Sequence, residues 1–323
     1  MKNNKLLLGG SVVIFAGFGT AASADPVNLY GTVEARTVDR DGVDLDSFLD
    51  AARLGAKQVI KRDKFDDLRA RWQMEYDLPT NGSLGTADRD VGDVGIRKAQ
   101  INLISDSYGE LIVGRQNNLM AQAKKIDQFK NDSGAFVIGP DRIGNAISYV
   151  TPSFGGVNGY AQVISDVDSD TTGGVPDKDL DGTTFGVSLV GDNYDLQASI
   201  YDVNSNFDSG EVELLSLGGS VSLGSLGVFA TVQSEDVSGT DMWGLGASYR
   251  LNDTTFKAGY STTDNDAGGE GSYIQLLADY DLGQGVSAFA QYIEYDSDAE
   301  DTLGKGDALS VGIAYNFSTD IAM

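Results

Sequence analysis

The chain has 323 residues with no cysteine and no histidine, and its 48 acidic and 23 basic side chains give a formal net charge of −25. That charge excludes nucleic acid as a partner, and the missing histidine removes Ser–His nucleophiles and His-ligated metals. Only carboxylate chemistry would remain for catalysis, and no pair among the acids stands out, so the chain is read as a non-enzyme.

In chain order, Lys2 and Lys5 precede an apolar stretch from Leu6 to Gly19, followed by Ala22-Ser23-Ala24. This is the layout of a secretory signal peptide over residues 1–24, with the mature chain starting at Asp25. Its removal takes both lysines and leaves a net charge of −27. No later segment offers the ~20 continuous apolar residues of a membrane helix. Residues 25–323 contain no Pro- or Ser-rich linker and are read as one unit.

Beyond the leader the chain repeats one pattern. Apolar side chains alternate with small or polar ones in sixteen segments near 27–38, 49–61, 66–77, 94–105, 109–116, 142–151, 157–166 and 183–191, then 193–203, 212–223, 226–236, 241–250, 254–263, 271–282, 286–297 and 307–317. In the last, Leu309, Val311, Ile313, Tyr315 and Phe317 share one face, and Ala308, Ser310, Gly312, Ala314 and Asn316 the other. Period two means strands whose faces meet different surroundings. An even number of such strands in an exported chain predicts a transmembrane antiparallel β-barrel, lipid outside and water inside. Mean hydropathy is only −0.18, as expected when alternate residues alone touch lipid.

The connections alternate in length. Short ones (106–108, 191–192, 224–225, 251–253, 282–285) fall between longer acidic or Gly-rich ones (78–93, 167–182, 264–270, 298–306). Tight turns at one rim and loops at the other fit a barrel with its turns toward the periplasm. One connection, about 116–141, is too long for a turn and opens with a helix-like run from Asn118 to Lys125. Long loops within compact units are usually functional; folded inward, this one would narrow the lumen.

Several stretches resemble the general diffusion porins of Gram-negative bacteria. They are Val27–Val33, Ala52–Lys57, Gly109–Arg115, Arg142–Tyr149 after the long loop, and the Ala308–Phe317 close. The resemblance runs the length of the mature chain. It implies a 16-stranded barrel, a homotrimer in outer-membrane lipid and lipopolysaccharide, and a third extracellular loop folded inward as a constriction. It also implies a basic ladder facing acids on that loop, with Arg53, Arg115 and Arg142 at matching positions. The family's first-strand lysine falls on Thr32, its Pro-Glu-Phe-Gly segment is absent, and the chain continues past Phe317 to Met323.

Strand parity, apart from the resemblance, puts Lys57, Arg69 and Arg71 on the inward face with Arg53, Gln73 and Glu75, and turns Trp72, Met74 and Tyr76 to lipid. Asp127 and Asp132 are the candidate acids on the loop, among Lys124, Lys125 and Lys130. Inward aromatics are expected only at Tyr30 and Tyr201. No cofactor is expected, except that Asp177, Asp179 and Asp181, followed by Gly182, fit the first half of a calcium loop. Position twelve is Ser188, which fails the second half; Asp166, Asp168 and Asp170 could complete a weak site. The expected function is passive diffusion of small hydrophilic solutes and ions with weak cation preference. A substrate-specific channel or a surface adhesin barrel is the alternative.

Overall fold

The computed structural model describes residues 25–61, 67–78, 94–130, 136–165, 180–204, 211–304 and 306–321. Sixteen strands form one closed antiparallel barrel. The first eight are β1 (Val27–Arg40), β2 (Val43–Lys61), β3 (Leu68–Asp77), β4 (Gly95–Ser105), β5 (Gly109–Asn117), β6 (Arg142–Val150), β7 (Val157–Ser165) and β8 (Leu180–Val190). The others are β9 (Tyr194–Val203), β10 (Val212–Leu223), β11 (Leu226–Glu235), β12 (Thr240–Leu251), β13 (Thr254–Asn265), β14 (Glu270–Gly283), β15 (Val286–Tyr295) and β16 (Ala308–Ile321). Each pairs with its chain neighbours, and β1 closes the ring on β16 from Val27↔Ile321 to Arg40↔Ala308. Closure leaves no open edge, which a bilayer would not tolerate.

The two faces are inverted relative to a water-soluble protein. On β16, Ile313 is 57% exposed and Val311 50%, while Ser310 is 1% exposed. Gln162, Gln233, Gln275 and Gln291 are buried on the inner face. Apolar side chains facing out and amides facing in match hydrocarbon outside and water within.

Aromatic side chains smooth the wall where glycine leaves a gap. Tyr30 lies flat over Gly55 on the inner face, and Phe317 over Gly31 on the outer, each so close that a Cβ on the glycine would meet the ring under 3 Å away. This cross-strand covering of glycine pins register in sheets.

Four expectations change. The β1–β2 connection is a hairpin over Asp41 and Gly42, with Gly42 at φ 76°, not a stretch from 39 to 48. The connection placed at 264–270 shrinks to four residues between β13 and β14. The helix-like start of the long loop is a single 3₁₀ turn, Leu119–Ala123, whereas a true helix (α1, Ser297–Leu303) fills the last loop, capped by Asp296 accepting from the Ala299 N–H at 2.9 Å. The last strand does not stop at Phe317: Ser318 to Ile321 extend β16 against Tyr30 to Val27.

Candidate functional site: the constriction

The loop between β5 and β6 folds into the lumen, docked on the inner wall by apolar anchors. Met120 is buried against Ile143, Ile164, Tyr201 and Leu214, and Ile126 and Phe129 are buried among Phe229, Met242, Leu277 and Phe289. Each such burial contributes about 1.5–3 kcal/mol. Small wall residues make the approach possible. A Cβ on Gly218 would sit 1.9 Å from the Ala123 carbonyl oxygen, and one on Gly259 would strike the Phe129 ring at 2.8 Å. Polar contacts fix the depth. The Ile126 N–H donates to Thr231 Oγ1 at 3.0 Å and the Ile138 N–H to Gln233 Oε1 at 2.7 Å.

The loop's lysines, which on sequence alone obscure its acidic side, serve as fasteners. Lys124 pairs with Asp141 at 3.0 Å, Lys125 with Asp195 of β9 at 2.5 Å, and Lys130 with Glu34 of β1 at 2.9 Å. Among the described loop residues two acids are exposed, Asp127 and Asp141, and Asp141 is the one paired with Lys124. Surrounding protein disfavours the charge of Asp127 and Asp141 repels it, so the Asp127 carboxyl titrates above the usual carboxylate range. Asp132 lies outside the described residues.

Across the lumen stands the basic wall. Register pairs Arg53↔Asp77, Gly55↔Glu75, Lys57↔Gln73 and Val59↔Arg71, so Arg53, Lys57, Arg69 and Arg71 do share one face with Glu75. They are strung along the height of the strands instead of gathered in a ring. Arg69 is at the short-turn end, bonded to Asp106, and Arg71 one step up pairs with Glu110 at 2.8 Å. Arg53 meets Asp77 at 3.3 Å, and Lys57 sits 5.2 Å from the Tyr30 ring centroid. The Tyr30 hydroxyl donates to Glu75 at 2.9 Å and accepts from Gln73 at 2.6 Å. Arg142 opens β6 within electrostatic reach of Arg53, Asp77 and Arg97.

Arg115 is a correction. Its register partner is Ala99, in the outward row of Ile101 and Leu103, and its Nε donates to the Ile96 carbonyl at 2.6 Å. Alternation along β5 agrees: Leu111, Val113 and Arg115 are exposed, while Ile112 and Gln116 are buried on the inner face. Arg115 therefore belongs to the outer wall, not to the lumen cluster.

Alternation misses Arg97. A register shift between Glu75 and Tyr76 against β4 lets Arg97 and Lys98 both reach the lumen. Arg97 Nε lies 2.7 Å from Glu75 and Nη1 2.9 Å from Asp77; Lys98 Nζ is 3.7 Å from Glu75. Two adjacent cations in a membrane strand are the sequence signal, since one of them facing lipid would cost kilocalories.

Inward aromatics also exceed the expected pair: Tyr160, Tyr273, Phe229 and Phe289 join Tyr201 as buried inner-face rings. Phe136 from the loop meets Tyr273 edge-on at 4.8 Å. Tyr201, Phe229, Phe289 and Tyr273 bed the loop, and Tyr160 covers Gly186. For the calcium reading, Asp177 and Asp179 lie outside the described residues, and Asp181 is buried near the start of β8. Among the described residues, no three His, Cys, Asp or Glu are grouped to hold a metal.

A closed barrel, apolar outside and polar inside, with a charged loop across its lumen, defines a membrane channel. A family model described as Gram-negative porin matches residues 10–301, so the chain belongs to the Gram-negative porin family: it is a non-enzymatic outer-membrane porin. An outer membrane porin protein of Bordetella pertussis is 26% identical over 318 residues, covering 87% of this chain and 76% of that one. Among solved structures, Salmonella typhi OmpF in complex with daunomycin superposes with a TM-score of 0.72 at 16% identity, over 91% of this chain and 98% of that one. The anion-selective porin from Comamonas acidovorans gives 0.68 at 19% identity, over 90% and 99%. At these identities the two structures speak for the fold alone.

Proposed function

We propose that this porin passes small hydrophilic solutes and ions passively down their gradients, as a homotrimer, with weak cation preference. The observation that carries this is the inward loop, fastened to the wall and facing a charged inner surface. It narrows the lumen, so solute size and charge are sorted at one level.

The sign of selectivity follows from pairing. Arg53, Arg69, Arg71 and Arg97 each have a carboxylate partner, so the ladder is largely neutralised where it stands. Among the described residues, Arg142 and Lys57 lack one within ion-pair distance. The surplus acidity of the mature chain then tips the balance toward cations. Reversal potentials in a salt gradient test this, and anion preference would contradict it. A swelling series of neutral sugars in proteoliposomes tests diffusion by size; one solute entering far out of size order would favour a substrate-specific channel. Migration on an unheated gel at three times the monomer mass tests the trimer.

A further inference from the structure

The constriction loop reaches its farthest described wall contact at Lys130, which touches strands on both sides of the barrel's closing seam. Its ammonium lies 2.9 Å from Glu34 on β1 and 3.8 Å from Asp279 on β14, and 4.2 Å from the Phe289 ring centroid on β15. Its backbone N–H donates to Gln291 Oε1 on β15 at 2.8 Å. The order β1-β16-β15-β14 places all these contacts around β16, where the first and last strands meet. The niche is built. Glu34 is buried and shared with Arg36, whose side chain is fully buried between the rings of Phe48 and Phe289. One residue earlier Phe129 inserts against Gly259 and Phe229.

We propose that Lys130 is the positioning residue of the eyelet, holding the loop against the seam and so setting the aperture. This rests on the diffusion-channel reading. Lys130 is itself largely covered, so it acts through the loop it holds and not by touching solute. Two carboxylates and an aromatic face around one ammonium make a site that favours a cation at that height over a neutral side chain. Without it, Glu34 and Asp279 lose their shared cation and the loop segment after Phe129 loses its side-chain tie to β1 and β14.

The test is Lys130→Met and Lys130→Arg beside the parent protein, each reconstituted in planar bilayers and in liposomes. Lys130→Met is expected to raise open-channel current noise and move the sugar-size cut-off upward, with the barrel still resisting detergent unfolding. Lys130→Arg is expected to restore both readouts. A chain without cysteine also permits a second route: the double variant K130C/E34C, joined by a bifunctional thiol reagent, is expected to return noise and cut-off toward the parent values. This arm does not depend on Lys130→Met folding well. If the parent conducts and Lys130→Met shows the same noise and cut-off, the positioning role is wrong while the channel reading stands. If the parent itself is silent, the channel reading fails first.

Discussion

Arg97 holds Glu75, its Nε 2.7 Å from the carboxylate, although strict alternation along β4 from Lys98 assigns Arg97 to the lipid side. The bulge that turns it inward builds a quartet with Asp77 and Arg53, and Glu75 also accepts the Tyr30 hydroxyl. Replacing Arg97 by Leu leaves two carboxylates facing the lumen without their shared partner. The expected loss is about 2 kcal/mol in urea unfolding from liposomes, on the scale of hydrogen bonds to charged groups. The reversal potential should move further toward cations.

The inverted faces give a paired contrast. Ile313 is exposed on the outer wall, and Thr32 stands inward opposite Arg53. Ile313→Arg should cost about 2–4 kcal/mol in folding into bilayers. Thr32→Arg should cost little, while moving the reversal potential toward anions.

Gly218 admits the loop backbone, so Gly218→Val should push the constriction off β10. Its added Cβ cannot share space with the Ala123 carbonyl. Single-channel conductance and the sugar-size cut-off should both rise, with the barrel intact on unheated gels.

Asp127 supplies a pH signature. Its carboxyl is raised above the usual range by the surrounding protein and by Asp141, so it takes up its proton before ordinary acids do as pH falls. Cation preference should begin to weaken above about pH 4, the ordinary carboxylate midpoint, and Asp127→Asn should remove that first step. Reversal potentials measured from neutral pH downward would show it.

At the rim of short turns the shift runs the other way. Asp67 accepts from Ser105 Oγ at 2.6 Å, and from the Asp106 and Ser107 N–H groups at 2.8 and 3.1 Å, tying two turns together. Those hydrogen bonds hold its carboxyl well below the usual range. A depressed folded-state value adds stability above the unfolded value, and that stability is lost only as pH falls through the folded one. The difference between parent and Asp67→Ala in urea unfolding should therefore hold steady down to about pH 4 and shrink only below it.

The barrel is legible in the sequence because one physical rule, lipid outside and water inside, writes itself into every second residue: Leu309 to Tyr315 show it without any partner. The paired face of β2 and β3, with Arg53, Lys57 and Arg71 beside Glu75, is legible for the same reason. The two misplaced residues differ in cause. Arg115 keeps the outward parity of Leu111 and Val113, so alternation alone puts it outside and the family match misleads; a bulge beside Glu75 brings Arg97 inside and leaves no periodic trace. The docking of the loop is also hidden, because Met120, Ile126 and Phe129 show that something is buried but not against what. Ile126 and Phe129 are received at Gly244 of β12 and Gly259 of β13, and Met120 at Ile164, Tyr201 and Leu214, all far away in sequence.

Current through a planar bilayer, recorded after adding purified, detergent-solubilised protein, tests the channel most directly. Discrete upward steps of uniform size are expected, enlarged by Gly218→Val. A bilayer that stays at its leak level, with protein shown to have inserted, would contradict a water-filled lumen.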